Sequence, residues 1–196
     1  MKVRVSYNPP WRSKCKTFEE VFDLEYYLGG KQIALRLEAL EQRYSPALPP
    51  TIPIPKQDID QCREKPWVTR PHPYIDRLAC IWLIRHFINS QAAILYSEQP
   101  RAEEVAFDMN QGAFGHRGNL CTFETMVIAF GLNDPGLRPV AEIVHEIDLR
   151  DGRYAWSEIA GIERILIGWT MAGLSDSELE SRGVALFEGL YMAFSG

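Results

Sequence analysis

The sequence predicts a mainly α chain of the α+β kind. One compact helical domain with a small β component is preceded by an N-terminal helical hairpin. Three observations carry this. Apolar residues recur at helical spacing, as in Val140, Ile143, Val144 and Ile147. Strand-like runs are few and short, over residues 94–96 and 105–107. Between two helical regions, residues 45–55 hold five prolines and can form neither regular helix nor central strand.

In chain order, residues 2–7 alternate as a short strand would before Pro9-Pro10 ends it. Thr17-Phe-Glu-Glu20 reads as a capping box opening a helix that Gly29-Gly30 breaks. A second helix follows over residues 31–44, with Ile33, Leu37, Leu40 and Tyr44 on one face. Alone this hairpin would be marginal, so it needs a packing partner. The predicted division is residues 1–45 as the helical segment, 46–66 as a proline-rich linker and 67–196 as the main domain.

Within the main domain, residues 75–88 are apolar nearly all round, which predicts a buried helix. Residues 122–130 form a second apolar helix, ended by Gly131. The stripe from Val140 to Ile147 marks a third, with Pro139 suited to its first turn. Asp151-Gly152 is a loop. Ser157 is expected to cap a helix that buries Ile159, Ile162, Leu166 and Trp169. Ser175-Asp-Ser-Glu178 is a capping box opening a last helix with Val184, Phe187, Tyr191 and Phe194 inward.

Composition narrows function. At 196 residues and 46% hydrophobic content the chain suffices for one substantial core. A net charge of -5 argues against a broadly basic surface, so DNA binding has no support in it. No apolar run approaches a membrane span and residues 1–10 lack an apolar signal core, which gives the expectation of a cytoplasmic protein. Self-association stays open. The 4 cysteines lie far apart without a CxxC pair, against a disulfide framework or a zinc ribbon.

The chemistry-bearing residues fall between Arg70 and Leu149, in otherwise apolar helical surroundings. Burying an unpaired carboxylate or imidazolium costs several kcal/mol, so such residues mark partners, metals or chemistry. Glu124 is the sole charge over residues 120–132. It is either a partnered buried acid or a first-turn acid favouring the helix dipole. His145 and Asp148, three apart on one helix, can face one point in space. His116 stands in the glycine-flanked loop Phe114-Gly-His-Arg-Gly118, where an exposed histidine would also be ordinary. Asp76, near a helix start, is an N-terminal cap or an additional donor. His116, Glu124, His145 and Asp148 then form a mixed N/O ligand set for a divalent ion (Zn, Fe, Mn or Ni), with Asp76 in or beside the ligand sphere. Arg70, Arg77 and Arg117 instead offer an oxyanion its donors. In a third reading the polar residues only satisfy one another within an interaction module.

The same segments resemble the C-terminal domain of the chromate-resistance (ChrB-type) family. The likeness runs through Arg70-Pro-His-Pro-Tyr-Ile-Asp-Arg-Leu-Ala-Cys-Ile-Trp-Leu-Ile-Arg-His-Phe-Ile88, Val105-Ala-Phe-Asp108, Phe114-Gly-His116, Cys121-Thr-Phe-Glu124, Phe130-Gly-Leu-Asn-Asp-Pro135 and Ile143-Val-His-Glu-Ile-Asp148. A looser match follows at Leu186-Phe-Glu-Gly-Leu-Tyr191, for a span of roughly residues 67–194. The resemblance implies a part in chromate resistance, as a chromate-responsive regulator of efflux or an associated domain. In that family DNA binding is attributed to a separate N-terminal region. Residues 1–66 carry no such likeness, so the resemblance brings no DNA-binding role and no catalytic mechanism here.

Overall fold

The computed structural model describes residues 53–110 and 112–195. The expected N-terminal strand, the helical hairpin and most of the proline-rich stretch lie outside the described residues. Within the predicted linker, a short helix α1 (Ile59–Arg63) is capped by Asp58, whose side chain accepts the Asp60 N–H.

The small β component is a parallel sheet of three strands in the order β2-β1-β3, with β1 at Trp67–Thr69, β2 at Ile94–Tyr96 and β3 at Val105–Ala106. Trp67 pairs with Ile94 on one side and Val105 on the other. All three residues of β1 are buried, which a central parallel strand requires. Its brevity hid it from the sequence, since three residues cannot display a period.

Helix α2 (Ile75–Leu83) joins the parallel strands β1 and β2, as such strands need a crossover. The sequence predicts one helix through residue 88. The structure instead passes into a π-helical turn, Ile84–Ile88, that ends where the Asn89 N–H reaches the Ile84 carbonyl. Helix α2 is central and packs against α3 (Thr122–Ala129), α4 (Leu137–Leu149) and α6 (Asp176–Phe194). Trp82 and Phe123 stack at 6.3 Å between ring centroids, and Phe187 lies 6.2 Å from Trp82 on the other helix. Where α6 crosses α2, Gly183 admits Leu78, which would stand 2.8 Å from a Cβ there.

The helix ends follow the sequence closely. Pro139 occupies the first turn of α4, and Ser175 with Glu178 forms the capping box of α6. Gly131 takes φ 63° just after α3. Ser157 does not cap α5 (Ile159–Met171). Its hydroxyl turns to the Glu158 carboxylate, and the Ile159 N–H closes a turn on Trp156 instead. On α5, Ile162 and Leu166 are buried, while Ile159 and Trp169 are only half-buried. Among the described residues no helix is long and apolar enough to cross a membrane.

Candidate functional site

The site forms at the C-terminal ends of the parallel strands, where ligand crevices of such sheets lie. β1 runs into Arg70, and β3 through Phe107 into Asp108. Asp108 adopts φ 49°, a left-handed conformation that aspartate tolerates better than most residues. Its carboxylate is a hub. Arg70 Nη2 donates to Oδ2 at 3.1 Å, Arg77 Nε lies 3.4 Å from the same oxygen, and Thr122 Oγ1 donates to Oδ1 at 3.0 Å. Arg70 Nε also reaches the Asp108 carbonyl, and Arg77 Nη1 donates to the Arg70 and Pro71 carbonyls at 2.9 Å each. The two arginines therefore brace the strand ends. Burial, then the charge of Asp76, raises the pKa of Asp108 against these donors.

Asp76 lies in the first turn of α2 yet caps the neighbouring helix. Its Oδ2 accepts the Thr122 N–H at 2.9 Å and its Oδ1 the Phe123 N–H at 2.8 Å. These are first-turn amides of α3, which that helix cannot satisfy itself. Asp76 thus sits at the positive end of the α3 dipole, only 3% exposed.

His116, on the loop leading to α3, brings Nε2 to 3.3 Å from Asp76 Oδ2 and 3.2 Å from Asp148 Oδ2. Asp148 comes from the last turn of α4. These three residues offer ligand atoms all within 4.8 Å of one another. Hydrogen bonds to Asp148 and then Asp76 push the His116 pKa up to about 10, so the imidazole is protonated at neutral pH among these acids, with Asp108 Oδ1 a third carboxylate oxygen 3.7 Å from Nε2. The group opens onto a cavity of about 600 Å³, whose lining also includes Arg70, Arg77, Arg117 and Tyr74.

Glu124 and His145 belong to an adjoining network. Glu124 Oε2 accepts the Cys121 N–H at 3.0 Å, closing a capping box, and lies 2.7 Å from His145 Nδ1. His145 Nε2 is 3.3 Å from Asp151 Oδ2. Burial opposes charge on His145, but Glu124 and then Asp151 outweigh it and its pKa is raised. Both sequence readings of Glu124 therefore hold: it is buried and paired, and it serves the first turn.

Of the candidate ligands, His116 and Asp148 meet, and they meet around Asp76. Glu124 and His145 meet each other. The group of three offers two carboxylate oxygens and an imidazole nitrogen, a donor set suited to a divalent transition ion. The sequence reading missed two contributors, Asp108 and Asp151. Asp108 directly follows an apolar strand and Asp151 stands in the turn after α4, and nothing local distinguishes such an acid from an ordinary loop residue. The thiols of Cys80 and Cys121 are buried, and burial pushes both pKa values up, which removes them as nucleophiles. His86 serves structure, with Nδ1 2.9 Å from Glu188 Oε2, an oxygen that also accepts the Trp82 indole N–H.

Residues 67–194 match the model of the family described as ChrB, C-terminal domain. The chain is 34% identical over 146 residues to Protein ChrB of Cupriavidus metallidurans, across 72% of this chain and 44% of that protein. The chain thus spans less than half the length of this relative. No solved structure matches.

Proposed function

The chain belongs to the family of the ChrB C-terminal domain, and from that premise we propose that it is a divalent-metal-binding domain serving chromate resistance. The observation that carries the proposal is the convergence of Asp76 Oδ2, His116 Nε2 and Asp148 Oδ2. Donors about 2.0–2.2 Å from one ion stand about 2.8–3.6 Å apart along the edges of a tetrahedron or octahedron. The edges at His116 are 3.3 and 3.2 Å. Supporting bonds are in place as well. Asp76 is oriented by two helix amides, as metal-binding carboxylates commonly are by outer partners. Zinc, iron, manganese and nickel all suit two carboxylates and one imidazole. Three protein donors leave coordination positions open toward the cavity.

An oxyanion role, chromate included, draws support from Arg117, which lines the same cavity. Arg70 and Arg77 contribute less directly, because their donors already serve Asp108 and backbone carbonyls. Metal and oxyanion binding are compatible, since an ion would add positive charge where an anion could reach it.

The test is thermal unfolding of chelator-treated protein with Zn, Fe(II), Mn or Ni added singly. At 100 times Kd a bound ion stabilises by about 2.7 kcal/mol. The expected result is a rise in Tm for at least one ion that Asp148→Asn abolishes. No response to any of the four overturns the proposal.

A further inference from the structure

The proposed ion site is assembled from three separate pieces of chain: Asp76 on α2, His116 on the loop before α3, and Asp148 at the end of α4. Something must hold α4 in register with α3. We infer that His145 is the positioning residue that does this, acting through Glu124 and Asp151. This rests on the reading of Asp76, His116 and Asp148 as a metal site.

The bonds form a continuous path. The start of α3 presents the amides of Cys121, Thr122 and Phe123. Asp76 accepts the Thr122 and Phe123 amides, and Glu124 accepts that of Cys121. The two carboxylates thus share one helix start, which fixes Asp76 relative to Glu124. The Glu124 oxygen bonded to Cys121 lies 2.7 Å from His145 Nδ1, so α3 grips α4 through one imidazole. His145 precedes Asp148 by one helical turn, and residues so spaced share neighbouring faces. Rotating α4 about its axis would therefore carry both side chains together.

The opposite ring nitrogen is held too. Nε2 lies 3.3 Å from Asp151 Oδ2, beyond the C-terminus of α4. The connecting turn is fixed by Arg150 at φ 53°, and by Glu146, which accepts the Gly152 and Tyr154 amides at 2.9 and 3.0 Å. His145 itself is wholly buried, and the Tyr154 ring meets it edge-on at 5.0 Å between centroids. A side chain anchored at both nitrogens, between the helix that Asp76 caps and the helix that carries Asp148, is in a position to set their separation. Among these residues Asp148 receives no other side-chain bond that would hold it toward His116, so its placement depends on the pose of α4.

The experiment measures Zn and Mn affinity by calorimetry on the full chain, alongside metal-free Tm. The proteins compared are the wild type, His145→Gln, Glu124→Gln, Asp151→Asn and Ile143→Val. The last trims a fully buried core residue of α4 and touches none of these bonds. Loss of a partner outside the ligand set commonly weakens metal binding 10–100-fold, and about that loss is expected for His145→Gln. Glu124→Gln should fall between His145→Gln and the wild type. Asp151 is 40% exposed at its side chain, so Asp151→Asn should fold and weaken binding several-fold. Ile143→Val should lower Tm and leave affinity within about twofold. If His145→Gln and Asp151→Asn bind the ions as the wild type does, the positioning role is overturned and the metal site stands. If the wild type binds neither of them, nor Fe(II) or Ni, both fall.

Discussion

Replacing Asp76 with alanine removes the carboxylate on which the start of α3 depends. Two buried amides, those of Thr122 and Phe123, lose acceptors at 2.9 and 2.8 Å. Hydrogen bonds to a charged group contribute about 1.5–3 kcal/mol each, which sets an upper bound of about 3–6 kcal/mol for the pair. Two effects reduce this. The cavity beside Asp76 lets water reach part of the gap, and removing one acid relieves its repulsion with Asp108. A net loss of about 2–4 kcal/mol remains, above the usual range for a cap because both bonds are buried. For a chain of this size that lowers Tm by about 5–15 °C. Asp76→Asn keeps one acceptor oxygen and should lose about half as much. The assay is urea and thermal unfolding of chelator-treated protein followed by circular dichroism. A metal-free Asp76→Ala protein within 0.5 kcal/mol of the wild type, or above it, would show that Asp76 is not a cap.

Gly183→Ala and Gly189→Ala on α6 should act in opposite directions. At Gly183 a Cβ meets Leu78, itself buried, at 2.8 Å, whereas at Gly189 nothing lies within 4 Å. Overpacking should cost about 1–3 kcal/mol at Gly183, and helix propensity should add about 0.5–1 kcal/mol at Gly189; Tm shifts of the same sign would contradict this. Glu188 is held below its ordinary pKa by the Trp82 indole N–H, against desolvation, with His86 adding to the effect. Its contribution is present above pH 4.5, the ordinary value, and lost as pH falls through the lowered one. The Tm gap between wild type and Glu188→Gln, followed by calorimetry in acid, should close as pH falls below 4.5. A gap that widens below that pH would reverse the assignment.

What could be read from the sequence was local. The helix start at Ser175 announces itself through the acid three residues beyond its cap, and the stripe from Val140 to Ile147 fixes which face of α4 is buried. Glu124 was conspicuous because no neighbour shares its charge. The structure needed a different kind of information for Asp76, whose spacing suits a cap for its own helix but which serves another one 46 residues away. The same holds for the division of the candidate ligands. His145 and Asp148 share a helix, and only the depth of α3 beside α4 sends His145 to Glu124 and Asp148 to His116. Strand β1 escaped because three buried residues carry no pattern, although the site is built on its end.

Anomalous diffraction from crystals grown with zinc or manganese, recorded at the absorption edge of the metal, locates a bound ion among its ligands. One peak is expected about 2.0–2.2 Å from Asp76 Oδ2, His116 Nε2 and Asp148 Oδ2 together. A peak between Glu124 and His145, or none near His116 at saturating metal, would contradict it.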